Sequence, residues 1–178
     1  SITRVYHAIV HNRFKDTEGT VDKALGRHHI DRKKYAVVAN GKHAITHYFV
    51  EEYFRGYTRL RLRLETGRTH QIRVHMRHKG HPLFNDARYG GDQILKGTTF
   101  AKYRQFIDNC FATCPRQALH AKTLGFVHPV SGQRLDFAAD FPDDFKNLAL
   151  DQIMNKGDQV TSIANPATKK AAIMTLQG

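Results

Sequence analysis

From Tyr57 to Glu65 the chain alternates strictly: Leu60, Leu62 and Leu64 take one side, and Arg59, Arg61 and Arg63 take the other. A period of two over this length fits a half-buried β-strand whose outer face carries guanidinium groups. The segment before it, His43 to Phe54, is separated from it only by Arg55-Gly56, so the two read as the arms of one long hairpin. The bland account of the three arginines is solubility of a sheet face.

Other elements follow from shorter signals. Arg4 to Val10 reads as a strand that ends in the polar turn Asn12 to Gly19. Gly19 to Asn40 mixes Gly, His, Lys and Arg with short apolar pieces such as Tyr35-Ala36-Val37-Val38, and reads as loops and short strands on a surface. Thr69 is a candidate N-cap for a helix from His70 to His78, with Ile72 and Met76 on its buried stripe and Gly80 as its stop. Phe100, Tyr103, Phe106, Ile107 and Cys110 recur at helical spacing and predict a helix from Lys96 to Phe111. Strands are expected near Gln117 to Val127 and Gln133 to Ala138, with the turn His128-Pro129-Val130-Ser131-Gly132 between them. Pro142 opens a short helix towards Leu150. The expected fold class is α+β with a mainly antiparallel sheet, one domain over residues 1–150, and a loosely held tail over 151–178.

The charge balance narrows the partner. Lys and Arg number 28 against 16 Asp and Glu, a net +12. A field of that sign attracts polyanions, and no lysine tract or Arg-Gly repeat confines it to a tail. No run of 18 apolar residues predicts a membrane helix, and no basic-then-apolar start predicts a secretory signal. Two closely spaced cysteines, Cys110 and Cys114, do not make a disulfide framework, so a reduced, cytoplasmic setting is expected. The 12 histidines include His70, His75 and His78, but no third ligand falls at a standard spacing, so no metal is expected. Phosphate-loop and dinucleotide motifs are absent, and no cofactor is expected.

The densest polar constellation is Leu64-Glu65-Thr66-Gly67-Arg68-Thr69-His70-Gln71-Ile72-Arg73-Val74-His75. A glycine turn delivers a strand into a helix start, where free backbone N–H groups favour an anion and Arg68, Thr69, His70 and Gln71 add donors. Arg73 sits one turn into the helix, on a rigid element. The same string equally suits a capped helix with solvated polar residues.

This segment, continued by Gly80-His81-Pro82-Leu83-Phe84-Asn85-Asp86-Ala87-Arg88-Tyr89-Gly90-Gly91, closely resembles the signature of RluA-type RNA pseudouridine synthases. Tyr6-His7-Ala8 resembles the family's Tyr-x-Ala block. Pro115-Arg116-Gln117-Ala118-Leu119-His120-Ala121 resembles its Leu-His-Ala block, and His128-Pro129 follows in order. The likeness runs from about residue 3 to 150. It implies a pseudouridine synthase-like catalytic domain that isomerises uridine in ribosomal or transfer RNA without metal or cofactor. Carried over, Tyr6 stacks on the target base and helps remove its C5 proton, Arg73 pairs with a catalytic aspartate, and Leu119 walls the uracil pocket. Arg68, His70, Gln71, Arg116, His120 and Lys122 are the expected RNA contacts. Stacking of a base on an aromatic face contributes about 1–3 kcal/mol.

The sequence departs from the family in one respect. The family's aspartate lies in a His-Arg-Leu-Asp…Thr-Ser-Gly segment a few dozen residues before the tyrosine, and here the tyrosine is residue 6. Arg134-Leu135-Asp136 has Gln133 before it and Phe137-Ala138-Ala139 after it, so Asp136 is not that nucleophile. Asp31 fails likewise, and Asp86 belongs to another block and reads as structural. The expectation is the C-terminal part of a catalytic domain, inactive alone, with an exposed sheet edge prone to self-association, an exposed apolar patch, and an Arg73 without its acidic partner. The alternative is a non-catalytic RNA-binding module.

Overall fold

The computed structural model describes residues 1–95 and 100–149; the expected tail over 151–178 lies outside them. Its centre is a six-stranded, fully antiparallel sheet made of β1 (Thr3–His11), β2 (Glu18–Asp22), β5 (Ile45–Phe54), β6 (Tyr57–Leu64), β7 (Leu119–Val127) and β8 (Arg134–Ala138), in the order β2-β5-β6-β1-β7-β8. A separate two-stranded sheet pairs β3 (Leu25–Arg27) with β4 (Tyr35–Val37). Among the described residues three α-helices, α1 (Gln71–His78), α2 (Ala101–Thr113) and α3 (Asp143–Asn147), and a short 3-10 turn at Ala87–Tyr89 cover the strands. The α+β expectation holds.

Register shows how the alternation is used. Tyr6 lies opposite Leu62, Ala8 opposite Leu60, and Arg4 opposite Leu64, so these residues share one face of the sheet. On that face Leu60, Leu62, Leu64, Ala8 and Val10 form a buried cluster with Ile72 and Met76 of α1. The opposite face, with Arg59, Arg61 and Arg63, pairs Ile9 with Arg59 and His11 with Tyr57. Ile9, Phe54 and Tyr57 there pack under Ile107 and Cys110 of α2 and Phe145 of α3. Val74, on another side of α1, joins Leu25, Ala44 and Tyr89 in a third cluster with Tyr35 and Val37 of β4. Thus α1 lies between the large sheet and the small one.

Several expected boundaries move. Helix α1 starts at Gln71, and its cap position is His70, in the left-handed region at φ 55°, not Thr69. The reason is in the next residue. Gln71 is buried, and its amide ties the turn together more firmly than a threonine hydroxyl would. At the other end His81 N–H donates to Met76 O at 2.8 Å and Gly80 N–H donates to Arg77 O at 2.9 Å, a Schellman closure with Gly80 at φ +87°. Helix α2 begins at Ala101 and runs to Thr113, so it is shifted towards the C-terminus relative to the expected Lys96 to Phe111; residues 96–99 lie outside the description. The turn between the hairpin arms has Gly56 at φ +76°.

Strand β8 pairs only with β7, so it is an edge of the large sheet. Leu124 and Phe137 sit opposite each other there, 41% and 55% exposed, and the Phe126 and Phe137 rings stack at 6.0 Å. This edge belongs to the last strand of the sheet, so it does not bear on the edge expected from a missing N-terminal segment.

Candidate functional site

The turn from β6 into α1 is fixed by one side chain. Gln71 is 2% exposed, and its Nε2 donates to Ile45 O at 2.9 Å and to Thr46 Oγ1 at 3.0 Å. Its Oε1 accepts from Thr66 Oγ1 at 2.8 Å and from Arg68 N–H at 3.0 Å. Both donors and the acceptor are used within the protein, so Gln71 is not an RNA contact; it positions the turn. The same Thr46 hydroxyl meets His75 Nδ1 at 2.8 Å, and His75 Nε2 donates to Lys23 O at 2.8 Å. Burial lowers the His75 pKa, which fits a neutral ring serving as both donor and acceptor.

Arg73 pairs with a carboxylate other than the family's catalytic aspartate, namely Asp86. Its Nε donates to Asp86 Oδ2 at 2.7 Å and its Nη2 to Asp86 Oδ1 at 2.8 Å, a two-pronged pair. Its guanidinium carbon lies 4.9 Å from the centre of the Tyr89 ring. The hydrogen bond to Asp86 raises the Arg73 pKa further, so the group stays charged. Asp86 is 1% exposed, which agrees with its structural reading. It belongs to a loop sewn to the end of β1: Phe84 N–H donates to Ile9 O at 2.8 Å, and Ala118 N–H donates to Phe84 O at 3.0 Å. The pair therefore fastens α1 to the loop that meets β1 and leads, through Ala118, into β7.

Tyr6 and Leu119 lie on the sheet face that α1 covers. Tyr6 is registered with Ala121 and Ala8 with Leu119 in β7, beside a bulge at Val5/Tyr6. Both side chains pack, partly buried, against the cluster that holds Ile72 and Met76. Neither of the two cavities described below is lined by Tyr6, Leu119 or Arg73.

The remaining expected RNA contacts fall in separate places. His70 meets the Tyr89 hydroxyl at 2.7 Å, and that hydroxyl accepts Tyr35 N–H at 3.1 Å. Burial and the nearby charges of Arg73 and Arg88 lower the His70 pKa. Arg68 donates from Nε to His43 O at 2.9 Å and is exposed. Arg116 instead holds Asp144 through Nε at 2.7 Å and Nη2 at 2.9 Å, and it keeps the Asp144 carboxyl below its usual range. Its Nη1 goes to Gln117 O and Leu119 O. Arg116 is thus an anchor between α3 and the start of β7. His120 is opposite His7, on the face away from Tyr6, and His120 and Lys122 share Ala139 O and the Phe141 ring. The six do not form a single patch.

Two cavities flank Tyr35. One, of about 250 Å³, is lined by residues that include His28, Lys34, Arg77 and His78. The other, of about 500 Å³, is lined by residues that include Arg27, Tyr35, Lys42 and Arg68. Arg27, Tyr35 and Lys42 were not expected at a site. The signal for Arg27 and Tyr35 was the density of Lys, Arg, His and Gly in residues 19–40, which gives no hint of which side chains converge; Lys42, just beyond that stretch, had no signal.

The chain is similar to RNA pseudouridine synthases of the RluA type; the family model for RNA pseudouridylate synthase matches residues 1–78. Among curated proteins it is 49% identical over 150 residues to the ribosomal large subunit pseudouridine synthase D of Vibrio cholerae, covering 84% of this chain and 44% of that protein. The protein of the same name in Escherichia coli is 47% identical over 148 residues, covering 83% and 44%. The chain therefore spans less than half the length of these relatives. Among solved structures, human RNA pseudouridylate synthase domain containing 1 superposes with a TM-score of 0.61 at 25% identity, over 79% of this chain and 55% of that one.

Proposed function

We propose that this protein supplies the base-holding part of an enzyme that isomerises uridine to pseudouridine in ribosomal RNA. In that reaction the N1–C1′ glycosidic bond breaks, a C5–C1′ bond forms, the C5 proton leaves and N1 gains a proton. Tyr6 offers its ring to the extruded uracil and its hydroxyl to the C5 proton, while Leu119 bounds the base on the same side. The reaction needs a carboxylate nucleophile, and Asp86 does not serve: it is buried and both its oxygens are held by Arg73. In this reading the carboxylate enters on a His-Arg-Leu-Asp segment outside residues 1–178, and Arg73 Nη1, which donates no hydrogen bond to the described residues, is offered to it. No metal or cofactor takes part, and the setting is cytoplasmic.

The observation that carries this reading is that Tyr6 and Leu119 stand side by side on the sheet face covered by α1, the helix that bears Arg73. The test is pseudouridine formation in ribosomal RNA by the chain alone and by the chain joined to the family's aspartate-bearing segment. Turnover only in the joined form supports the reading. A folded joined protein that binds RNA without turnover supports the binding-module alternative instead.

Leu124 and Phe137, exposed side by side where β8 edges the sheet, with half-buried Phe126 and Leu135 beside them, favour self-association of this chain. Sedimentation that gives a monomer at all concentrations overturns that part.

A further inference from the structure

The segment between β2 and β5 folds back on the start of α1 and encloses the 500 Å³ cavity. Gly41 lets this happen: a Cβ there would fall 2.5 Å from the Leu25 carbonyl, so the backbone of 40–42 lies flush against β3. Leu25 and Lys42 exchange two backbone hydrogen bonds, at 2.9 and 2.7 Å, which fixes the base of the lysine.

Three cations line this cavity, Arg27, Lys42 and Arg68, and none of its lining residues is acidic. Among the described residues none of the three has a carboxylate within ion-pair distance, whereas Arg59, Arg73, Arg116 and Arg134 all do. The two arginines are oriented by neutral groups: Arg27 Nη1 donates to Arg32 O at 2.9 Å, and Arg68 Nε donates to His43 O at 2.9 Å. A carbonyl fixes a guanidinium without cancelling its charge, and the remaining donors stay available to an anion. The Arg27 guanidinium carbon also lies over the Tyr35 ring, 4.6 Å from its centre, a pairing of cation and aromatic face of the kind on which bases stack.

We propose that this cavity is a second RNA subsite, apart from the Tyr6 face, that takes one nucleotide of a single-stranded stretch: its phosphate among Arg27, Lys42 and Arg68, its base against the Arg27–Tyr35 layer. The volume suits a nucleotide, being within the roughly 300–1,000 Å³ of ordinary ligand pockets. Tyr35 also borders the neighbouring cavity with His28, Arg77 and His78, so the basic lining continues past one nucleotide. The inference rests on the RNA substrate proposed above and adds where the strand is held.

The test is fluorescence anisotropy with a labelled ten-nucleotide single-stranded RNA across a salt series, using the chain, Lys42→Ala, Arg27→Ala with Lys42→Ala, Tyr35→Leu, and Lys102→Ala on α2 as a control. The expected result is a salt slope lower by about 0.7 for Lys42→Ala and about 1.4 for the double variant. Tyr35→Leu should bind roughly 5-fold more weakly or worse. The Lys102→Ala control should bind as the parent does. Circular dichroism checks folding, and Lys42→Ala carries the test even where Arg27 or Tyr35 variants unfold, because only the lysine backbone supports β3. If the parent binds RNA and Lys42→Ala keeps the parent affinity and slope, the subsite is wrong while the RNA reading stands. If the parent binds no RNA at low salt, both fall. Equal competition by polyglutamate overturns the nucleotide assignment.

Discussion

The Arg73–Asp86 pair is the clearest place to test how the site is held. Asp86→Asn keeps the side-chain shape but removes the charge that two guanidinium donors meet at 2.7 and 2.8 Å. The arginine left behind is 13% exposed and its partner position 1% exposed, so neither is well hydrated. Breaking a buried pair from one side costs about 3–5 kcal/mol; because Arg73 keeps some solvent access, the lower end applies, about 3 kcal/mol. For a domain of this size each kcal/mol lowers Tm by about 2–4 °C, so the variant should melt about 6–12 °C below the parent. Thermal and urea melts followed by circular dichroism read this directly. The double variant Arg73→Met with Asp86→Asn should recover part of the loss, because the stranded charge is gone. An Asp86→Asn midpoint within about 1 kcal/mol of the parent, or a double variant whose losses simply add, would refute the pair's role as the fastening between α1 and the 83–91 loop.

Other consequences are quickly checked. Gly91→Ala should cost about 2 kcal/mol or more, since its Cβ would sit 1.8 Å from Leu83 O; Gly80→Ala, whose Cβ meets nothing within 4 Å, should lose only about 1 kcal/mol from its φ of +87°. Urea midpoints of the two variants decide the order. Acid should weaken the fold in two stages. Burial lowers the pKa of His11 and His75 from 6.5, so their contribution is complete above pH 6.5 and is lost as pH falls through their folded values. Asp144, lowered from 3.8 by its hydrogen bonds to Arg116, keeps its contribution until pH drops below that value. Urea midpoints unchanged from pH 7 down to about 5 would contradict the first stage.

The large sheet was legible because its strands obey local rules. The Leu60, Leu62, Leu64 alternation, the Arg55-Gly56 turn and the Gly80 stop each depend on residues close in sequence, and each stands where expected. Tyr6 and Leu119, singled out by the family likeness, lie on one face in adjacent strands, a pairing that no local pattern announced. What failed depends on contacts across long separations. Gln71 looked like a free donor at a helix start, but its partners are Ile45 and Thr46, which nothing near it in sequence announces. Arg73 was expected to lack the family's catalytic aspartate, and no local pattern announced its pairing with Asp86; Arg116 was placed on RNA by its family block, and nothing near it in sequence announced Asp144. The short strands β3 and β4 carry weak patterns, so the convergence of Arg27, Tyr35 and Lys42 with Arg68 emerges only in three dimensions.

The central claim concerns what Tyr6 does, and steady-state kinetics of pseudouridine formation by the joined protein, with Tyr6→Phe and Tyr6→Leu, test it most directly. Tyr6→Phe keeps the stacking face and should lose turnover while RNA affinity holds. Tyr6→Leu should lose turnover and also bind substrate roughly 5- to 150-fold more weakly, the equivalent of about 1–3 kcal/mol of stacking. A Tyr6→Leu enzyme that turns over and binds like the parent would contradict the account.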